Sequence, residues 1–382
     1  MNELSFDFII SGAGCAGLSL LVRMIGSGKF ADKKILVVDQ SLKNQNDRTW
    51  CFWEKGKGYF EPVVYKDWRK LWFYSDGFSC LKDIFPYRYK MIRGVDFYSH
   101  CLEIIRRQPN IEFLQARIEG LVSNENETCL LVNGKKIYAK YIFNSILFEK
   151  PVLKKNDFYL LQHFKGWLIE TRENKFNPEE AVLMDFRVRQ DQGTAFVYTM
   201  PFSEKRALIE YTLFTENLLL DSAYDNLIKL YIRNVLGIAE YEVKETEFGI
   251  IPMTTHNFPA NDHHIVHLGM AGGQTRASTG YTFQFIQKQT SSIVNKLLQS
   301  ESPVVKGTPG RFRYYDRLFL DVLNSRKNES PEVFARLFGR NQVTTIFDFL
   351  DCESSLIQDF MLINSMPVKP FLKAAIRHAF AF

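Results

Sequence analysis

Apolar positions in the first forty residues fall into two short blocks with a helical stretch between them. Phe6-Asp7-Phe8-Ile9-Ile10-Ser11 predicts a buried strand of aromatic and β-branched residues. Leu18 to Ile25 predicts a packed helix, and Lys34-Ile35-Leu36-Val37-Val38-Asp39 a second strand ending in an acid. Farther along, Phe97, Cys101, Leu102 and Ile105 recur at helical spacing between Gly94 and Arg107, before Pro109-Asn110. Ile111 to Leu114 then predicts a strand. Cys129 to Val132, the turn Asn133-Gly134 and Ile137 to Phe143 predict a hairpin.

From Gly166 to Thr254 the pattern turns to strands rich in Val, Ile, Thr, Tyr and Phe, such as Ala195 to Met200 and Ala207 to Phe214. A helix is expected from about Ala223 to Leu236. A strand at Ile265 to Leu268 and a helix over Phe283 to Leu298 follow. This order predicts an α/β fold, with a Rossmann-like nucleotide-binding domain, an inserted antiparallel-sheet substrate domain and a helical C-terminal region. The expected division assigns 1–54, 94–160 and 251–300 to the nucleotide domain, 55–93 and 161–250 to the substrate domain, and 301–382 to the helical region.

Between the first two strands lies Gly12-Ala13-Gly14-Cys15-Ala16-Gly17. A G-x-G-x-x-G alone says little, but strand, glycine loop, helix, strand and terminal acid together make a complete dinucleotide fingerprint. Gly12 permits the tight turn, Gly14 has no Cβ to block a pyrophosphate, and Gly17 lets the helix pack closely. Unpaired N–H groups at the helix N-terminus, beside Ala13 and Ala16, suit phosphate oxygens. Asp39 can accept both ribose hydroxyls, which favours FAD or NAD over NADP. A second strand–glycine-loop–helix junction spans Gly269 to Gly280, with Gly272, Gly273 and Thr279 inside it, and aims another helix N-terminus at the ligand's anionic part.

Composition narrows the class. Of 382 residues, 46% are hydrophobic and 24% charged, which excludes a largely disordered chain. The net charge of +5 is far from a nucleic-acid-binding signature. Phenylalanine is abundant at 33, enough for an apolar pocket or simply an aromatic core. The six cysteines form no C-x-x-C pair, so neither a zinc site nor a dense disulfide framework is expected, and a reducing cytoplasm is the default. His263, His264 and His267 lack acids at metal spacing; no metal is expected. The acidic N-terminus reads against a signal peptide, and no apolar run approaches the roughly 20 residues of a membrane span.

Two segments carry candidate chemistry. Asn46-Asp47-Arg48-Thr49-Trp50-Cys51-Phe52-Trp53-Glu54 has no helical period and is expected as a loop, pinned by its aromatics or covering a ligand with Arg48 near a phosphate or ribose. Glu210 sits in an oily strand, with Leu208 and Thr212 on its own face. Buried, its pKa would rise towards neutrality and suit acid–base work; at a sheet edge it would merely face solvent.

These segments resemble the bacterial lycopene β-cyclases, members of the FAD-dependent oxidoreductase-like superfamily. The resemblance runs through Asp7-Phe8-Ile9-Ile10, Asp47-Arg48-Thr49-Trp50-Cys51-Phe52-Trp53, Gln162-His163-Phe164-Lys165-Gly166-Trp167, Leu183-Met184-Asp185-Phe186-Arg187, Leu208-Ile209-Glu210-Tyr211-Thr212, Gly249-Ile250-Ile251-Pro252-Met253, Ser278-Thr279-Gly280-Tyr281 and Arg313-Tyr314-Tyr315-Asp316. It implies that Glu210 holds the family's acid–base glutamate position and that FAD binds the first βαβ unit and the Gly269–Gly280 loop. It also implies that linear carotenoid (lycopene) ψ ends close to β-ionone rings without net redox change. Reduced FAD would stabilise the carbocation, NAD(P)H would supply its electrons, and either Glu210 or the flavin would deliver the proton. Met270, Ala277 and Asn144 depart from residues common in relatives.

Such a substrate implies a protein at the cytoplasmic face of a membrane. Phe371, Leu372, Ala375, Ile376, Ala379 and Phe382 share one helical face beside Lys373 and Arg377, as on an interfacial helix or a helix capping the core. The rival readings are an FAD-dependent reductase or hydroxylase of a polyprenyl or other apolar substrate, and a carrier without turnover.

Overall fold

The computed structural model describes residues 5–305, 307–325 and 330–379. Its first sheet is built on five parallel strands in the order Ile265–His267, Lys135–Asn144, Ser5–Ser11, Ile35–Asp39 and Ile111–Gln115. The central pair is apolar throughout its inner length because helices cover the sheet: Ile9, Ile10, Val37 and Val38 are fully buried. Helices Cys15–Gly26 and Phe283–Leu298 lie together on one face. The chain crosses from Ser5–Ser11 through Cys15–Gly26 to Ile35–Asp39, so Gly12 and Asp39 end up side by side at the strands' C-terminal edge.

A seven-stranded sheet runs Glu242–Thr254, Tyr159–Glu170, Arg206–Thr215, Thr194–Pro201, Glu180–Asp185, Lys70–Ser75 and Phe78–Asp83. All its pairings are antiparallel except that of Glu180–Asp185 with Lys70–Ser75. Arg206–Thr215 shows the alternation at work. Ile209, Tyr211 and Leu213 pack under helix Asp221–Asn234, while Leu208 and Phe214 face a second core shared with C-terminal helices. Those helices are Gly310–Ser325, Ser330–Arg340, Val343–Leu350, Leu356–Ser365 and Val368–Ala379. Stacked rings fasten them to the sheet, Phe73 on Phe338 and Phe186 on Phe334.

Two expectations need correction. The segment expected as a loop over residues 46–54 is a strand from Thr49 to Lys55, paired antiparallel with Tyr87–Arg93 in a three-stranded sheet completed by Lys66–Trp68. Its aromatics alternate rather than cluster. Phe52 stacks on Phe283 in one core, and Trp53 on Phe347 in the other. The C-terminal helix does not present a single apolar face either. It packs against Gly310–Ser325, which turns Phe371 and Ala375 inward and leaves Leu372 and Ile376 exposed. Phe382 lies outside the described residues.

Candidate active site

Glu210 lies on an interior strand, between Tyr159–Glu170 and Thr194–Pro201, so the solvent-facing alternative does not hold. It is 9% exposed. Register places Tyr198, Glu210, Gly166 and Glu247 in one row across four adjacent strands. Glu210 and Glu247 therefore flank Gly166, two strands apart. A Cβ on Gly166 would stand 2.9 Å from Glu247 Cγ and 3.1 Å from Leu208 Cδ1. Only a residue without a side chain leaves room for the two carboxyl groups to converge there.

The two carboxyl groups share one hydrogen-bonded neighbourhood. Thr49 Oγ1 donates to Glu247 Oε2 at 2.7 Å, and Thr212 Oγ1 donates to Glu210 Oε1 at 3.2 Å. Glu247 Oε1 is buried with no hydrogen-bond donor among the described residues, and the Glu210 and Glu247 carboxyl groups interact side chain to side chain. Burial drives Glu210 well above the usual carboxylate range, and the adjacent Glu247 charge adds to the rise. Burial also raises Glu247, but its hydrogen bonds from Thr49 and Glu210 oppose that. Both carboxyl groups therefore favour the neutral form, Glu210 the more strongly.

The surroundings carry little positive charge. Tyr281 hydrogen-bonds to both Tyr89 and Tyr198, and burial raises all three pKa values, so they are neutral phenols. Among the described residues lining the cleft, of about 260 Å³, Arg48 is the one base. It lies exposed at the rim and donates to the Asp47 carbonyl at 2.7 Å. The Tyr89, Tyr198 and Tyr281 rings line the cleft beside the carboxyl pair.

Thr279, Gly280 and Met270 bring the second glycine junction into the same cleft. Gly280 has φ +71°, and a Cβ on it would stand 2.4 Å from Gln162 Oε1, a buried acceptor with no donor. Gly272 and Gly273 line a neighbouring cavity that shares Met270 with the cleft. Gly269 abuts Ala16, so the two glycine loops pack on each other.

Helix Cys15–Gly26 begins with no side-chain cap and no acid in its first turn, which leaves its N-terminal N–H groups available to an anion. Gly12 has φ +95°. A Cβ on Gly14 would meet open space, whereas one on Gly17 would strike the Gly12 carbonyl oxygen at 2.1 Å. Asp39 is partly committed to the loop. Its Oδ2 accepts from Ala13 N at 2.7 Å and its Oδ1 from Ser41 N at 2.8 Å, with Lys43 at 3.3 Å. Each oxygen keeps further acceptor capacity for a ribose.

Sequence reasoning missed Glu247, which stands in a run of charged residues, Glu242-Val243-Lys244-Glu245-Thr246-Glu247, that reads as a solvated edge. It also missed Arg276. That guanidinium is 1% exposed, donates to Asp316 Oδ1 at 2.8 Å, and pins the second glycine loop to helix Gly310–Ser325. On the far side of Tyr198, Thr279 and Tyr281 lies a cavity of about 280 Å³ walled by Trp53, Phe196, Phe334 and Phe338 among others. Much of the phenylalanine surplus is spent there. The His267 ring meets the Asn144 amide at 3.1 Å, and that amide also joins the ends of Ser5–Ser11 and Lys135–Asn144.

Known proteins share parts of this sequence and its fold. The chain shows 25% identity over 205 residues to the chloroplastic lycopene beta cyclase of Solanum lycopersicum, covering 50% of this chain and 40% of that protein. To the lycopene beta-cyclase of Pantoea ananas it shows 24% over 237 residues, covering 56% and 54%. The chain thus matches about half the length of these curated relatives. A solved flavoprotein/dehydrogenase from Cytophaga hutchinsonii superposes with a TM-score of 0.60 at 12% identity, covering 99% of this chain and 100% of that one, a likeness of fold. The profile of the family described as lycopene cyclase protein matches residues 7–376, and the chain belongs to that family.

Proposed function

We propose that this chain is a lycopene β-cyclase, converting ψ ends of lycopene to the β-ionone rings of γ- and β-carotene. Membership of the family supports the reaction class. The observation that carries the mechanism is Glu210, buried beside Glu247 so that its pKa is driven up, in a cleft that the second glycine junction also lines.

The reaction adds one proton to the terminal double bond, closes one C–C bond and releases one proton. Glu210 delivers the first proton to the chain end. The vacated carboxylate pair takes the released proton back, so the pair ends as it began and no electrons are consumed. Between these events the cation is held by the negative Glu210–Glu247 pair and by the Tyr89, Tyr198 and Tyr281 rings that line the cleft.

The donor set fits FAD: an uncapped helix N-terminus behind a glycine turn, Asp39 for the ribose, and an orphaned Gln162 carbonyl facing Gly280. Gly12, Ala13, Gly14, Ala16 and Gly17 would hold its diphosphate, and Arg48 with the loop from Gly269 to Gly280 its ring end. When bound in reduced form, with NAD(P)H as the electron source, FAD supplies an electron-rich surface for the cation. Lycopene dissolves in lipid, so the enzyme works at the inner, cytoplasmic face of the cell membrane.

Cells that accumulate lycopene test the reading. Expression of the chain should replace lycopene with γ- or β-carotene of unchanged mass, and Glu210→Gln should abolish the conversion while FAD stays bound. A product heavier by hydrogens or oxygen would point instead to a reductase or hydroxylase.

A further inference from the structure

The two helices nearest the C-terminus carry an unusual outer surface. On Leu356–Ser365 the exposed positions include Leu356, Ile357, Phe360 and Met361; on Val368–Ala379 they include Val368, Leu372 and Ile376. These seven side chains are between 51% and 69% exposed. Their spacing puts each set on a single helical stripe. Lys369, Lys373 and Arg377 follow the second stripe one residue on, and the first two are exposed with no acid beside them. Between residues 356 and 377 the sole acid is Asp359, which is buried on Arg311.

The inner faces of the same helices wall the apolar cavity. Leu362, Ile363, Met366, Phe371 and Ala375 all line it. The cavity in turn shares Tyr198 and Tyr281 with the cleft that holds Glu210. Outer surface, helix pair, cavity and cleft thus lie one behind the next.

We propose that helices Leu356–Ser365 and Val368–Ala379 dock the protein on an anionic lipid bilayer and open the apolar cavity directly to it. The apolar stripes enter the acyl boundary and the lysines meet lipid phosphates, the arrangement by which amphipathic helices lie in a membrane interface. A water-soluble partner would not require so much exposed hydrocarbon. A second copy of this chain would bring the lysines of both copies together without acids to neutralise them. The reading rests on the proposed function only in naming a carotenoid as the passenger.

Flotation of the FAD-loaded protein with vesicles tests the docking by itself. The wild type should rise with phosphatidylcholine–phosphatidylglycerol vesicles. Ile357→Glu with Phe360→Glu should cut that fraction about tenfold or more, and Lys369→Glu with Lys373→Glu should remove the preference for anionic lipid. Unchanged flavin content shows that the variants are folded. Flotation of both variants like the wild type, a wild type that stays at the bottom, or a dimer that disappears with Phe360→Glu would each overturn the proposal. In a second arm lycopene is presented in vesicles or in detergent. The apolar double variant should lose turnover from vesicles and keep it from detergent. A wild type that floats but cyclises nothing would defeat the proposed function and leave the docking face standing.

Discussion

Glu210 and Glu247 stand on strands that are not neighbours, one on each side of Gly166, and meet over the space its missing side chain leaves. Two carboxyl groups so placed resist ionising together until a positive charge stands beside them, so one is kept as an acid at a pH where an isolated glutamate would have lost its proton.

Glu210 should therefore show its protonation in stability as well as in rate. Its folded pKa lies above the ordinary 4.5, so the folded state keeps a proton that the unfolded state releases. The stabilisation this gives is complete below pH 4.5 and is lost as pH rises through the folded value. Glu210→Gln should raise the melting temperature at neutral and alkaline pH and change it little in acid, while turnover disappears. Equal shifts at all pH values would contradict a shared proton.

Glu247→Gln removes the negative neighbour but keeps the shape. Glu210 should then ionise more readily, and the alkaline limb of the pH–rate profile should move to lower pH. A profile that keeps its position would separate Glu247 from the proton's behaviour.

Gly166→Ala tests the gap itself. The new methyl group collides with Glu247 and Leu208, so the row must spread. We expect a loss of about 1–3 kcal/mol in unfolding free energy from overpacking, and a fall in turnover well beyond what that loss explains. Bound FAD measured by absorbance should be unchanged, since Gly166 lies in the other sheet.

Arg276→Met leaves Asp316 buried without its partner. A break of this kind costs about 3–5 kcal/mol, seen as a lower denaturation midpoint. Ser278 also donates to Asp316, at 2.7 Å, so the second glycine loop should loosen and FAD affinity fall with stability.

His163 gives an acid-side signal. Burial lowers its pKa from 6.5 to about 4, and it is held neutral between Thr215 and Tyr224. A depressed folded value gives stabilisation that is present above pH 6.5 and lost as pH falls towards about 4. His163→Gln should flatten that slope in urea melts.

The parallel-sheet unit was legible because its signals are local. A strand, a glycine turn and a terminal acid within forty residues leave few other packings, and Gly12 to Gly17 with Asp39 stand where that reading put them. Glu210 could be marked from its oily neighbours. Glu247 could not, because its burial comes from Thr49 and Glu210, hundreds and tens of residues away in sequence, while its own strand reads as polar. The strand Thr49–Lys55 was read as a loop for a related reason. Aromatics on both faces hide a period of two when each face has a core of its own.

That same ribbon has a mechanical consequence. Phe52 leans on Phe283, where the helix behind the nucleotide loop starts; Trp53 lies flat on Phe347 of helix Val343–Leu350; and Thr49 grips Glu247. Close-packed rings do not yield separately. A displacement at any of these three contacts must tug on the other two, which makes seven residues a common lever for glycine loop, carboxyl pair and C-terminal helices.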